Sequence, residues 1–435
     1  MQKHCAADTN SSPRICVIGA GPCGLTTVKN LQEQGLTNVC VFEKGAQIGG
    51  NWVYDENNEH SSIYETTHII SSRGWSQFED FHMPWEYPDY PSHVQVLSYF
   101  QNYAKHFGLE SFIQFNTSVL KANQTIDKKW LIVYENEKGI HEEIFDYLFV
   151  ANGHHWDPLL PTYPGTFTGE MMHAHAYKKS AQFKNKKVLV VGGGNSGCDI
   201  AVEISRQNPA SYISLRRGYH IFPKFILGKP ADSAFVKLRW LPAWLRQPII
   251  AMTLKVVQGR YSKNKLMKPD CGPLEAHPTI NSELMYFIRH GKIKVRPGIE
   301  RFSDKTVYFT DGTAEEFDTV IFATGYKISF PFFDKQVLDF SEALRVPLYR
   351  KMMHPDYENL YFIGLFQPQG CIWPLADFQA KIASRIIAGS LKRPKHLHAK
   401  IAKELKRPHY RFKAHTRHAI EVDYHQFRKE LSRML

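Results

Sequence analysis

The stretch Lys186-Lys187-Val188-Leu189-Val190-Val191-Gly192-Gly193-Gly194-Asn195-Ser196-Gly197, followed by Cys198-Asp199-Ile200-Ala201-Val202-Glu203-Ile204, decides the fold. Its apolar, β-branched run predicts a short buried strand, and the residues after the glycines predict a helix. Strand, G-x-G-x-x-G and helix in that order make the setting a dinucleotide-binding turn needs. Gly192 permits the tight turn, Gly194 lets backbone approach a pyrophosphate, and Gly197 lets the helix pack on the strand. Asn195 and Ser196 open that helix, whose free N–H groups and positive end face the phosphates. One such turn alone is a weak signal.

Working outward toward the N-terminus, a second copy appears. Arg14-Ile15-Cys16-Val17-Ile18 is a short apolar strand that runs into Gly19-Ala20-Gly21-Pro22-Cys23-Gly24 and then a helix from Leu25 to Gln34, ended by Gly35. Val39-Cys40-Val41-Phe42 is the next strand and closes on Glu43. An acid about 20 residues past the glycines is placed to hold an adenosine ribose hydroxyl. The two copies align by counting: Gly24 to Glu43 is 43 − 24 = 19 positions, and Gly197 to Arg216 is 216 − 197 = 19. The second strand here is Ser211-Tyr212-Ile213-Ser214-Leu215, with Ser214 near its end and Arg216-Arg217 beyond it, all three candidate contacts for the second dinucleotide. A carboxylate accepts from a ribose hydroxyl and repels a 2′-phosphate, whereas a guanidinium fork does the opposite. A charge-assisted bond of roughly 1.5–3 kcal/mol corresponds to about one to two decades of preference for NADPH over NADH. Two turns of opposite charge predict FAD at the first and NADPH at the second.

The remaining segments arrange themselves around these turns. In Gln47-Ile48-Gly49-Gly50-Asn51-Trp52, paired glycines such as Gly50 let backbone run close to a flat ligand, and Trp52 either walls that ligand or joins the core. Val53 to Pro91 reads as irregular, His93 to Phe107 as a helix, and Ile113 to Val133 with Ile144 to Ala151 as strands of a small sheet. Phe149-Val150-Ala151-Asn152-Gly153 and Ile321-Phe322-Ala323-Thr324-Gly325-Tyr326 look alike, which predicts two crossings between a first domain and one inserted in it. The expected fold is α/β, with two Rossmann-like dinucleotide-binding domains, the second inserted in the first. Residues 1–155 and 320–435 would form the FAD domain, and 156–319 the NADPH domain with a helical insertion at about 227–258. Tyr361-Phe362-Ile363-Gly364 reads as a strand, followed by Gln369-Gly370 and a helix from Pro374 to Ile387. The N-terminus of that helix, with Gln369 before it, is placed to meet the polar edge of a flavin. Beyond Leu391 the sequence reads as basic helical turns and loops.

Composition narrows the classes. At 435 residues, 43% hydrophobic and 13% aromatic, the chain is long and apolar enough for more than one core. The formal charge is +12, yet no zinc-ligand spacing or nucleic-acid motif accompanies it, so no metal and no nucleic-acid partner are expected. Much of the excess falls in the last forty-odd residues, as in Lys392, Arg393, Arg411 and Lys413. The seven cysteines are scattered without a C-x-x-C, which predicts reduced thiols and a cytoplasmic setting. Met1 to Pro13 lacks an apolar signal core. The most apolar span, Trp240 to Val257, is interrupted by Pro242, Arg246, Pro248 and Lys255, against the roughly 20 apolar residues of a membrane-crossing helix.

These residues together resemble class B flavin-dependent monooxygenases, and within them the flavin-containing monooxygenase family, over nearly the whole length. Phe167-Thr168-Gly169-Glu170-Met171-Met172-His173-Ala174-His175-Ala176-Tyr177 matches the family fingerprint F-x-G-x-x-x-H-x-x-x-[FY] at Phe167, Gly169, His173 and Tyr177. Baeyer–Villiger relatives end that motif in Trp. Gly49-Gly50-Asn51-Trp52, Phe78-Glu79-Asp80-Phe81 and Ala323-Thr324-Gly325-Tyr326 are further echoes. The resemblance implies that NADPH reduces the flavin, that reduced flavin takes up O2 as a hydroperoxide, and that NADP+ stays to shield it. A soft nucleophile, the amine nitrogen or sulfide sulfur of a small molecule, then takes one oxygen atom. The chemistry belongs to the cofactor, which is why no triad or acid–base pair stands out. His173 is implied to order a domain junction rather than act as a base, and a homodimer is compatible with the resemblance.

One departure bears on coupling. The family places an Asn, which hydrogen-bonds flavin and NADP+, ten residues before the Asp of the F-x-D-F run; here 80 − 10 = 70, and the residue is Ile70. Ser71, Ser72 and His68 are the candidates to replace it. A lost bond of ~1 kcal/mol predicts several-fold faster decay of the oxygenating species and release of hydrogen peroxide. Rival readings are ketone oxygenation of the Baeyer–Villiger type, a largely uncoupled NADPH oxidase, and a non-catalytic NADPH-sensing flavoprotein. A flavin disulfide reductase would need a redox cysteine pair, and the sequence has none.

Overall fold

The computed structural model describes residues 12–57, 60–208, 211–238, 240–259, 261, 266–273, 275, 277–409 and 419–435. Met1 to Ser11, Arg411 and Lys413 lie outside the described residues. The elements used below, in chain order, begin with β1 (Ile15–Ile18), α1 (Pro22–Glu33), β2 (Val39–Phe42), α2 (His93–His106) and β3 (Ile113–Gln114). Next come β4 (Ser118–Gln124), β5 (Trp130–Asn136), β6 (Gly139–Phe145), β7 (Tyr147–Val150) and β8 (Glu170–His173). They continue with β9 (Val188–Val191), α3 (Asn195–Gln207), β10 (Ser211–Ser214), α4 (Ala243–Gln258), β11 (Ile293–Arg296) and β12 (Thr319–Phe322). The last are β13 (Leu360–Phe362), α5 (Trp373–Ile387), α6 (Leu397–Lys406) and α7 (Tyr424–Ser432).

The fold is mixed α/β with parallel sheets, and the chain divides into two compact units. The first comprises Met1–Tyr54, Arg73–Asp157 and Lys327–Leu435. Its main sheet has the order β13-β7-β1-β2-β3, every pair parallel. The central strands read Ile-Cys-Val-Ile and Val-Cys-Val-Phe and are buried throughout, as parallel strands covered on both faces must be. Helix α2 starts on a capping box in which Ser92 and Gln95 each accept from the other's backbone N–H. The segment expected as one small sheet splits in two. Strands β4, β5 and β6 make an antiparallel sheet, whereas β3 and β7 join the parallel one. Short alternating runs look alike in sequence, and only hydrogen-bond partners separate them. Helices α6 and α7 are better formed than the turns expected beyond Leu391, α7 being capped by Asp423 on Gln426 N–H.

The second unit comprises Asp55–Ser72 and Pro158–Tyr326. Its sheet has the order β11-β10-β9-β12-β8, again all parallel. Two expected boundaries move. The strand Thr319–Phe322 belongs here and not to the first unit, because β12 is hydrogen-bonded between β9 and β8. Residues 55–72, expected with the N-terminal domain, also pack here. Tyr64 Oη donates to Asp199 (3.1 Å), Thr66 Oγ1 to Glu203 (3.0 Å) and Lys178 Nζ to the Ser61 carbonyl (2.6 Å). The insertion forms a short helix, Ala231–Val236, and α4 with Pro248 inside it.

Candidate functional site

In the first unit β1 delivers the chain into the Gly19–Gly24 turn, and each glycine there has a different physical reason. Gly19 has φ +101°, and a Cβ on it would sit 2.8 Å from the Ala151 carbonyl oxygen. A Cβ on Gly24 would collide with the Gly19 carbonyl oxygen, so α1 could not lie against β1. Gly21 is different: its φ is an ordinary −72°, and a Cβ would meet nothing nearer than Gly50 Cα at 3.6 Å. The protein's own packing therefore does not require glycine at Gly21, while a ligand lying on the turn would. Gly21 is also the N-cap of α1 without a capping side chain, and Pro22 occupies the first turn. The turn thus presents an uncapped helix N-terminus, the chemistry a pyrophosphate needs.

Glu43 closes β2 beside this turn, half-buried. Its carboxylate accepts from Ala20 N–H (2.6 Å) and Gly45 N–H (2.7 Å). Burial raises its pKa, and the two backbone donors oppose that rise. Two rigid donors fix the carboxylate in place and leave lone pairs for a ribose hydroxyl. Gly50, at φ +53°, packs its backbone on Gly21. Trp52 stands edge-on to Trp373 at 5.7 Å, and Trp373 Nε1 donates to the Ser76 carbonyl (2.5 Å). Gln369 lies partly buried just before α5.

A buried polar network behind the turn was not anticipated. Asp377 on α5 accepts from Thr26 Oγ1 and from Asn30 Nδ2 (2.7 Å) on α1, and Lys29 on α1 pairs with Asp80. An acid inside the otherwise apolar run Trp373-Pro374-Leu375-Ala376-Asp377-Phe378 is the signal that could have marked it.

In the second unit the same reasons recur at the same places. Gly192 has φ +124° and abuts the Ala323 carbonyl, and a Cβ on Gly197 would strike the Gly192 carbonyl. Gly194 is the N-cap of α3, without a capping side chain. Asn195 Oδ1 accepts from Ile280 N–H (2.7 Å), while Ser196 is exposed on the first turn. Ser214 is buried, and its hydroxyl donates to the Pro297 carbonyl (2.7 Å), so it braces the strand end. Arg216 is exposed and, among the described residues, forms no salt bridge. Arg217 lies over the Tyr219 ring at 5.4 Å. An exposed guanidinium with no carboxylate partner among the described residues, one strand away from an uncapped helix N-terminus, fits a 2′-phosphate.

The four fingerprint residues build this unit. Phe167 packs on Phe302 at 5.4 Å. A Cβ on Gly169 would lie 2.6 Å from the Asp318 carbonyl oxygen. His173 ends β8 opposite Phe322, and its Nδ1 accepts from His175 N–H (3.1 Å). Burial lowers the His173 pKa to about 4, so the ring is neutral near pH 7. Tyr177 is fully buried and stacks on Phe183 at 5.7 Å. Asp199 and Glu203, which hold Tyr64 and Thr66, were also missed. Their i, i+4 spacing in a buried helix was the available signal, and burial raises the pKa of both.

The three candidates to replace the family Asn differ. His68 is exposed, with Nδ1 2.8 Å from the Thr66 carbonyl. Ser72 is committed to Asp232, through its N–H (2.6 Å) and its hydroxyl (2.9 Å). Ser71 is buried beside Ile70.

Sequence comparison agrees with this geometry. The flavin-binding monooxygenase-like family profile matches residues 12–435. Flavin-containing monooxygenase 5 of Rattus norvegicus is 36% identical over 444 residues, covering 96% of this chain and 82% of the rat protein. Among solved structures, S-allyl-L-cysteine S-oxygenase from Allium sativum shares the fold at TM-score 0.72 and 21% identity, covering 97% of this chain and 88% of that one. Cyclohexanone monooxygenase from Rhodococcus sp. Phi1, solved with NADP+, does so at TM-score 0.72 and 17% identity, covering 98% and 97%. The fold and the turns define a class B flavin monooxygenase. The chain belongs to the flavin-containing monooxygenase family, and it is an FAD- and NADPH-dependent monooxygenase that oxygenates heteroatom nucleophiles. Among the described residues no helix is long and apolar enough to cross a membrane.

Proposed function

We propose that the two units are Rossmann-like dinucleotide domains that divide the cofactors by charge. The first unit holds FAD through Gly19, Gly21, Gly24, Glu43, Gly50, Trp52 and Gln369. The second holds NADPH through Gly192, Gly194, Asn195, Ser196, Gly197, Arg216 and Arg217. The observation that carries this reading is the contrast between Glu43, anchored by two N–H groups, and Arg216, exposed and without a salt bridge among the described residues. Bound flavin, reduced by NADPH and exposed to O2, supplies the oxygen-transfer chemistry. The chain's residues seat the dinucleotides, fix their orientation and keep water out. His173, neutral and engaged, serves the fold and not proton transfer. The substrates are small molecules bearing an amine nitrogen or sulfide sulfur, and the setting is cytoplasmic.

NADPH consumption with a thioether and with a cyclic ketone, each against sulfoxide or lactone formed, tests the reading. Sulfoxide without lactone supports it; lactone as the main product overturns it in favour of the ketone chemistry.

Ile70 favours a second statement. It offers no hydrogen bond where the family has an amide, His68 is exposed, and Ser72 is held by Asp232. We infer that part of the reducing equivalents taken from NADPH then passes to O2 and is released as hydrogen peroxide. A peroxide yield near zero per NADPH consumed would contradict this.

A further inference from the structure

Residues 55–72 belong to the second unit, although Tyr54 and Arg73 on either side belong to the first. Among the described residues no helix or strand element lies between Trp52 and Arg73, so this strap is ordered by bonds to other parts of its unit. Three anchors hold it. At one end the buried Lys178 donates from Nζ to the Ser61 carbonyl (2.6 Å), and its own carbonyl accepts from Glu65 N–H (2.8 Å). In the middle Tyr64 Oη donates to Asp199 (3.1 Å) and Thr66 Oγ1 to Glu203 (3.0 Å). At the other end Asp232 accepts from the Ser72 N–H (2.6 Å) and hydroxyl (2.9 Å). His68, Ile69, Ile70 and Ser71 lie between the last two anchors.

The middle anchor stands on α3, the helix that opens with Gly194, Asn195 and Ser196. Asp199 lies about one turn beyond Asn195, and Glu203 about one turn further. Asp199 is shared: its second oxygen accepts from Asn281 Nδ2 (2.5 Å), while the neighbouring Ile280 N–H donates to Asn195 Oδ1 (2.7 Å). The first turn of α3, residues 280–281 and the strap are therefore one bonded cluster. Packing alone does not ask for these carboxylates. Tyr64 already sits in the apolar core of its unit, edge-on to Tyr177 at 5.6 Å. A leucine at 199 or 203 would add to that core without the cost of taking a charge out of water. A strap without regular structure opens easily unless it is held. A ligand that immobilises the first turn of α3 also immobilises what is bonded to it.

We propose that Asp199 and Glu203 are positioning residues that link the nucleotide seat to residues 68–71, so that Ile70 and Ser71 are held in place when NADP+ occupies the N-terminus of α3. The link rests on the reading of α3 as the nucleotide seat. The test is hydrogen–deuterium exchange of the flavin-loaded full chain with and without NADP+, followed separately over the first turn of α3 and over residues 64–72. NADP+ should slow exchange in both, by about five-fold or more in the strap. Tyr64→Phe with Thr66→Val removes both hydroxyl donors and leaves α3 itself untouched. In that variant NADP+ should still protect α3, while its protection of the strap is lost. Thr66→Val alone, at an exposed position, should lose part of that protection. If the two hydroxyls serve the fold only, the double variant exchanges faster with and without NADP+ by the same factor, and that result overturns the proposal. So does NADP+ that protects α3 and not the strap in the parent protein. NADP+ that protects neither overturns the nucleotide seat, and the proposal with it.

Discussion

The two glycine turns have nearly the same backbone and opposite electrostatics. In each, the first glycine takes a positive φ against the carbonyl of the residue that follows a neighbouring strand, and the third admits the helix onto the strand. In each, the helix starts without a side-chain cap. Nineteen residues after the third glycine they diverge, into anchored Glu43 in one and exposed Arg216 in the other. Fold requirements account for what is shared, and ligand chemistry accounts for what differs. The middle glycine of the first turn falls on the ligand side of that division, since a Cβ at Gly21 has 3.6 Å of clearance.

The division can be broken experimentally. The largest effect belongs to Gly24→Ala, whose methyl collides with backbone. It should cost about 1–3 kcal/mol or more and give protein without flavin, seen as a lower Tm and lost visible absorbance. Gly21→Ala sharpens the contrast: Tm should stay within a few degrees while FAD affinity falls at least ten-fold, about 1.4 kcal/mol. Equal Tm losses in the two variants would dissolve the distinction. Next in size, Arg216→Ala should erase one to two decades of NADPH over NADH preference in kcat/KM and leave flavin content unchanged.

How much of this was legible in the sequence depends on the range of the interaction. The turns, their flanking strands and the Glu43/Arg216 contrast are local, and each was readable from spacing. The placement of residues 55–72 was not. It is set by Tyr64 on Asp199 and Thr66 on Glu203, pairs 135 and 137 positions apart that no local pattern records. Strand β12 was misplaced because its Ala-Thr-Gly ending imitates the Ala-Asn-Gly after β7, and only its pairing with β9 and β8 distinguishes it. Ser214 and Ser72 look like ligand groups by position, but their hydroxyls serve Pro297 and Asp232.

Smaller effects sharpen the account of the second unit. Ile70→Asn should restore a hydrogen bond of ~1 kcal/mol and lower the peroxide released per NADPH several-fold. His173 provides a pH test. Its folded-state pKa of about 4 lies below the ordinary 6.5, so on acidification the unfolded chain takes the proton first. Its contribution to stability is complete above pH 6.5 and is lost as pH falls toward 4, by at most about 3 kcal/mol. The His173→Gln variant should show a shallower fall of Tm over that window than the parent protein.

The most direct test is anaerobic reduction of the purified protein by NADPH and by NADH at equal subsaturating concentrations, followed through flavin absorbance. The account predicts yellow protein bleached ten- to a hundred-fold faster by NADPH, with Arg216→Ala bringing the two rates together. A colourless protein that takes up no FAD, or yellow protein bleached equally by both nucleotides, would contradict it.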